Sequence, residues 1–424
     1  MTPRSKQGNG VPTYGEVLRV PGYLPVFLAN ALSMWGDYIA RVTIAAVVFE
    51  RTRSPLATAT ALVVSLVPTF FGRSLVGPVV DRFPYKHVLI WAHSARAVCV
   101  LVLVVLVGTN SSLWLVLGAL FVLEMIGGAA TASNMVLTTD LFEDRHLYAR
   151  AVGLSAMSEQ FNQAVGLAVG GGLVALLGPR TGLLIDFTTF VVAAVVVFVV
   201  VELRPVDGAR GKGVRGFLRD LGTAAGDLAR HSVLARLMAL SAVATLAIAA
   251  PEALAIPIAG QHGWGGVLMA SPIIGAVVGI VLIGRRDVHD QNASMLQLAI
   301  AMPLPLLLLA LDPPVWVVAV LFFASGMLQS FMVPLQSTFA LVTEPALRGR
   351  IFSLAGAVAV GAAGASFLVA GSLAQATNPP VGVALSAAVC LALLIGVALT
   401  WPHGHVRSAV DEAYATPATR SHAA

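Results

Sequence analysis

Gly77-Pro78-Val79-Val80-Asp81-Arg82-Phe83-Pro84-Tyr85-Lys86-His87-Val88 is a short polar turn wedged between two long apolar blocks. Its glycine lets two helix backbones approach closely. Its acid, at the end of an apolar run, can meet the positive N-terminal end of another helix. Outward from this turn, windows of roughly 20 apolar residues recur, each long enough to cross the hydrocarbon core of a bilayer. Blocks such as 191–201 and 304–311 are apolar on every side rather than along one stripe, as a lipid surrounding demands. Of the 424 residues, 57% are apolar and 11% charged, too few charges to cover a water-soluble protein of this size. Soluble domains carry roughly a quarter.

The windows predict an all-α membrane protein of twelve transmembrane helices in two pseudo-symmetric six-helix bundles. The first six are α1 near 23–49, α2 near 55–80, α3 near 87–108, α4 near 112–140, α5 near 149–177 and α6 near 181–203. The second six are α7 near 232–259, α8 near 264–284, α9 near 292–311, α10 near 315–342, α11 near 349–376 and α12 near 380–402. Domain boundaries follow: a tail over 1–19, a bundle over 20–203, a linker over 204–231, a bundle over 232–402 and a tail over 403–424.

Charge placement orients this map. With both termini in the cytoplasm, 20 of the 26 Lys and Arg fall on cytoplasmic segments, and Arg51, Arg53 and Arg180 fall outside. That is the positive-inside asymmetry of a multi-pass membrane protein, and the excess of Arg over Lys, 23 to 3, with abundant Ala, Gly and Val, points to a bacterial inner membrane. The net charge of +5 then reports topology and contact with anionic lipid, not nucleic-acid binding. Five tryptophans (Trp91, Trp114, Trp264, Trp316, Trp401) mark helix ends and Trp35 alone is mid-helix. Cys99 and Cys390 lie inside apolar blocks and offer neither a disulfide framework nor a metal cluster. No cofactor, metal or catalytic constellation is expected, and no phosphate-binding loop of an ATP-driven pump is visible.

The two bundles echo each other at an offset of 200. Arg150 matches Arg350, Leu154 matches Leu354, Gly171-x-Leu173 matches Gly371-x-Leu373, and Pro179 matches Pro379. This places α5 opposite α11, as a six-plus-six duplication requires. In the linker, Phe217, Leu221, Ala225 and Leu228 share one face of a helix suited to a lipid surface. A partly ordered linker is the alternative.

Gly77, Asp81, Arg82, Lys86 and Val88 together resemble the signature loop of the major facilitator superfamily. Pro84 stands for the usual glycine and Tyr85 for one basic residue, a stiffer turn. The resemblance implies that Asp81 meets the start of α11 at Arg348-Gly349-Arg350, so that Gly77, Asp81, Arg82, Lys86 and Arg350 latch the outward-open state. A basic loop that only fixes orientation accounts for Arg82 and Lys86 but not for Gly77 and Asp81. Gly36-Asp37 with Arg41, then Phe49-Glu50-Arg51-Thr52, and Gly178-Pro179-Arg180 followed by Asp186 and Phe190, look like a bacterial efflux branch that includes macrolide exporters and the enterobactin exporter. Two elements depart from drug antiporters: Leu167 stands where α5 should carry proline, and α4 has Glu124 but no arginine.

A charge at mid-bilayer costs roughly 2.5–3.5 kcal/mol on insertion scales, so buried charges are expected to face a hydrated cavity. Asn30, Met34, Asp37 and Arg41 share one face of α1. Ser155, Ser158, Glu159, Asn162 and Gln163 recur on α5, and Glu124, Thr131, Asn134 and Thr138 on α4. In the second half Ser241, Thr245 and Glu252 align on α7, and Gln329 and Gln336 on α10. The resemblance implies that α1, α4, α7 and α10 line the cavity, with Trp35 an apolar wall and Arg96 within reach of the acids. A carboxyl in low-dielectric surroundings can load and release a proton near neutral pH. Glu124 and Glu159 have no base at i±3 or i±4 and are the first candidates; Asp37 has Arg41 four residues on and is either a proton carrier or half of a permanent salt bridge. Asp186 and Glu252 are expected nearer the outer surface, in structural or vestibular roles, and His93 as a structural residue.

These residues predict a monomeric secondary transporter exporting a small amphipathic compound (a drug, siderophore or metabolite) by proton antiport with alternating access. Uptake of a small nutrient by the same fold is the rival. A non-transporting membrane sensor or scaffold ranks last, because it has no need of continuous polar stripes.

Overall fold

The computed structural model describes residues 13–80, 83–142, 144–202, 213–260, 263–344 and 347–401, with 404 and 408. Twelve long helical segments account for most of them: α1 (Tyr23–Thr52), α2 (Pro55–Val80), α3 (Tyr85–Gly108), α4 (Leu113–Leu141), α5 (Arg145–Leu177), α6 (Pro179–Val200), α7 (Ser232–Ala259), α8 (Gly265–Ile283), α9 (Val288–Leu311), α10 (Val315–Val342), α11 (Arg348–Ala376) and α12 (Pro379–Leu399). Eleven of them, all but α2, are long and apolar enough to cross a membrane, among the described residues.

The chain's turns between helices are written locally. Asp144 caps α5, accepting from the backbone N–H of His146 at 2.7 Å, and Asn378 caps α12, accepting from that of Val381 at 2.9 Å. Such caps satisfy amides that the first helical turn leaves unpaired. Pro179 opens α6 and Pro379 opens α12, positions where a missing N–H costs nothing. Arg51 caps the end of α3 by donating to the carbonyls of Ser111 (2.8 Å) and Val107 (2.9 Å), and Arg180 donates to that of Gly108. These two arginines, expected outside on charge grounds, therefore also close a helix C-terminus.

Within the N-terminal half α2 packs on α4, α1 on α5 and α6, and α3 on α4 and α6; within the C-terminal half α8 packs on α10 and α7 on α11 and α12. Between the halves, α2 packs on α11 and α5 on α8. We refer to the end at which α1 begins and α12 ends as the near end. Both contacts between halves tighten towards the far end. A side chain at Gly171 of α5 would strike the backbone of Gly266, and one at Gly371 of α11 would strike Ala59 and Leu56 of α2. Ser54 donates to Gln375 beside the second contact, at 2.7 Å. The two glycines matched by the 200-residue offset thus occupy equivalent places in the two bundles. The largest apolar core is centred on α7 and draws in Val42, Leu62 and Leu167 from the other half.

The tail expected over 1–19 contains a helical turn, Tyr14–Leu18. Thr13 and Glu16 form a reciprocal capping pair, and Val17 is fully buried. The linker forms the helix Gly213–Arg230, packed on α2, α7 and α11. Along its packed stripe Ala224 is buried and Leu221 and Leu228 are half-buried, while Ala225 is exposed and the side chain of Phe217 lies outside the described residues. The helix is docked on protein along that stripe, which turns Ala225 away from the packed face. The α10 segment is broken by a 3-10 turn at Gln329–Phe331. Because that turn winds at 3.0 rather than 3.6 residues per turn, the helical phase assumed for Gln329 and Gln336 is lost.

Candidate functional site

A cavity of about 650 Å³ enters the N-terminal half from the near end. Asn30, Met34, Asp37, Tyr38 and Arg41 descend one face of α1 into it. Thr138, Asn134, Thr131 and Glu124 descend α4, and Ser155, Glu159 and Gln163 descend α5 at intervals of four. His93 and Arg96 enter from α3. Its volume falls in the range of small-molecule sites, roughly 300–1,000 Å³.

The floor of the cavity is an electrostatic cluster. Arg96, 4% exposed, donates through Nη2 to Asp37 Oδ1, its guanidinium lying 4.1 Å from the centroid of the Phe190 ring on α6. Gly127 on α4 clears the opposite side: a Cβ there would sit 3.3 Å from Arg96 Cζ. Arg41 reaches across to the other half, with Nη1 3.4 Å from Glu252 Oε1 on α7, and its guanidinium lies 5.4 Å from the centre of the Tyr38 ring. Glu124 is 8% exposed. The side chain of Glu159 is open to the cavity. A cation placed over an aromatic face gains roughly 0.5–2 kcal/mol, so both arginines are held by a ring as well as by an acid.

Three further residues read from the stripes sit beside the cavity rather than in its wall. Trp35 donates through Nε1 to Asn162 Oδ1 at 2.7 Å, and Asn162 donates to Ser158 Oγ at 2.9 Å. This row ties α1 to α5 and leaves Ser155, Glu159 and Gln163 to face the opening. On α7, Thr245 returns its hydroxyl to the carbonyl of Ser241 at 2.8 Å. Gln329 is half-buried and Gln336 exposed, and neither lines the cavity.

Asp81 and Arg82 of the signature turn lie outside the described residues, as does the packing around Gly77. Lys86 lies 5.4 Å from the centroid of Phe198, in its own half, and Arg348 Nε donates to the carbonyl of Thr343 at 3.2 Å. Arg350 is exposed. Asp186, expected in a structural or vestibular role, does not line the cavity. It is fully buried, its Oδ1 3.5 Å from Thr189 Oγ1, and its electrostatic neighbours are Asp37, Arg96 and Glu124. Its sequence signal is modest: an acid four residues before Phe190 in an otherwise uncharged stretch, the face that meets Arg96.

The family model described as Major Facilitator Superfamily matches residues 26–288, well over half of the chain. The chain belongs to the major facilitator superfamily. It is therefore a multi-pass membrane transporter of that superfamily. A curated relative, the uncharacterized MFS-type transporter YkuC of Bacillus subtilis (strain 168), is 24% identical over 183 residues, 43% of this chain and 42% of the relative. The aligned part thus spans well under half of that protein's length. Among solved structures, a bacterial homolog of the human lysosomal transporter Spinster, in an inward-facing and unoccupied conformation, aligns over 91% of this chain and 97% of that one (TM-score 0.66, 14% identity). The nucleoside transporter NupG, solved as a point mutant, aligns over 89% and 99% (TM-score 0.64, 14% identity). A POT family transporter in complex with 5-aminolevulinic acid aligns over 89% and 96% (TM-score 0.65, 10% identity). At these identities the likeness establishes the major facilitator fold.

Proposed function

We propose that this transporter exports small amphipathic, preferentially cationic compounds across the bacterial inner membrane, driven by protons moving inward. The observation that carries this reading is the acid-lined cavity that opens at the near end and stops at the Arg41–Glu252 ion pair between the halves. The charge asymmetry puts the near end in the cytoplasm, so the cavity is poised to load from inside. Glu124 and Glu159 carry the coupling proton, with Asp37 as a third site. Met34, Met135, Leu66 and Tyr148 supply apolar contact for the cargo, with the acids selecting its charge. Alternating access then requires the glycine contacts Gly171–Gly266 and Gly371–Leu56 to part while the near end closes. The signature latch of Gly77, Asp81, Arg82, Lys86 and Arg350 belongs to that closed-inside state.

The test is ethidium accumulation in cells carrying wild-type protein, Glu159→Gln or Glu124→Gln. Each substitution is expected to return accumulation towards the level of cells lacking the transporter. Full proton-dependent export by both variants overturns the coupling assignment. Uptake of a small nutrient by the same fold is the rival reading. Counterflow in proteoliposomes under an imposed pH gradient separates the two by direction.

A further inference from the structure

Among the described residues, buried side-chain atoms without a hydrogen-bond partner include Arg96 Nε, Asp186 Oδ2 and His93 Nδ1, gathered around one aromatic ring. Phe190 carries Arg96 on its face, stands 6.2 Å from the His93 ring between centroids, and lies one turn after Asp186 on α6. Asp186 presses on the residue preceding Asp37: a Cβ at Gly36 would strike both Asp186 Oδ1 and Thr189 Oγ1. One guanidinium therefore stands among two carboxyls. It is bonded to Asp37, and both its Nε edge and one oxygen of Asp186 are unused.

We propose that Asp186 is a proton-holding residue of this transporter and that Asp37 and Asp186 share Arg96 as a single counter-ion. This rests on the proton-driven reading above and adds a residue to it. A buried carboxylate with no cation bonded to it is costly, and its neutral form costs far less. In this conformation Asp37 is anionic and paired with Arg96, and Asp186 carries a proton. In the relay step Asp186 gives its proton to Asp37, becomes anionic, and takes over the guanidinium. Asp37 then releases the proton to the cavity that it lines, and Asp186 is reloaded from the far side. One proton enters and one leaves, and the cluster's net charge is unchanged by the relay. The charged and titratable groups facing this exchange are Asp37, Tyr38 and Arg41 on α1, His93, Arg96 and Cys99 on α3, Glu124 on α4, Glu159 on α5 and Glu252 on α7. Asp37 is open to the cavity, with 30% of its side chain exposed, and Asp186 is sealed from it. The two acids thus differ in their access to the water of the cavity.

Infrared spectroscopy on the full-length protein in lipid nanodiscs, in light and heavy water at neutral pH, reads this without any cargo. The wild type is expected to show a protonated, buried carboxyl band that Asp186→Asn removes. Asp37→Asn is expected to remove the same band although Asp186 is intact, because Arg96 passes to Asp186 and ionises it. A carboxyl with a merely structural role keeps its band in Asp37→Asn. Persistence of the band there, or its absence from the wild type, overturns the proposal. Should Asp186→Asn fail to fold, Asp37→Asn still decides. Loss of proton-driven transport in the wild type would defeat the coupling reading while leaving these bands as found.

Discussion

The two halves of the molecule share a fold and divide the labour. Among the described residues, the N-terminal half holds Asp37, Arg41, Arg96, Glu124 and Glu159 around the cavity and Asp186 buried beside its floor, whereas the C-terminal half offers Glu252. The N-terminal half clears space with glycines beside charged groups, Gly36 against Asp186 and Gly127 against Arg96. Glycines of the C-terminal half bring helices together backbone to backbone: a side chain at Gly275 would meet the carbonyl of Phe323, and one at Gly326 that of Pro272. Of its helical segments, α9 ends in a 3-10 turn and α10 is broken by one. The halves therefore share the scaffold while charged chemistry is concentrated on one side, and among the described residues the other side meets the site through a single acid, Glu252.

This division can be broken by substitution. The largest effect is expected for Arg96→Ala, which strands Asp37 without its guanidinium. Removing one member of a buried pair costs about 3–5 kcal/mol, seen as a lowered unfolding temperature in detergent together with lost transport. Next is Gly326→Val, where overpacking costs about 1–3 kcal/mol, against no loss for Gly118→Val, whose Cβ would meet nothing within 4 Å. Thermal unfolding of the pair measures whether close packing is the C-terminal half's main role. Glu252→Gln breaks the ion pair between halves, worth about 1 kcal/mol at this partial exposure. The expected outcome is greater labelling of cysteines placed at Ser54 and Gln375, as the far end opens more often. The smallest effect is expected for Gln336→Ala, an exposed position where changes stay within about 0.5 kcal/mol. Ethidium export unchanged by that substitution would sharpen the asymmetry, and a large loss would break it.

Most of this architecture was legible from the chain because membrane helices announce themselves by length and apolarity alone. The stripes on α1, α4 and α5 were legible for a related reason: an uninterrupted α-helix keeps its 3.6-residue phase, so Asn30 to Arg41 and Thr138 to Glu124 stay on one face. The row on α5 was resolved only by packing. Asn162 lies one step round the helix from Glu159 and Gln163, and the indole of Trp35 claims it. On α10 the 3-10 turn at Gln329 broke the phase, and nothing nearby in sequence marks the break. The choice between a structural and a vestibular Asp186 was not legible, because its electrostatic neighbours belong to other helices. Intrahelical spacing says nothing about Arg96, which reaches α6 over the Phe190 ring. The Arg41–Glu252 pair is 211 residues apart in sequence and is a product of how the bundles face each other.

The backbone-on-backbone meeting of Gly171 and Gly266 has a kinetic consequence. Parting such a seam requires no rotamer to change and no side chain to be extracted from a socket. The seam can open and reseal many times with little reorganisation, which suits a surface that must separate once in every turnover.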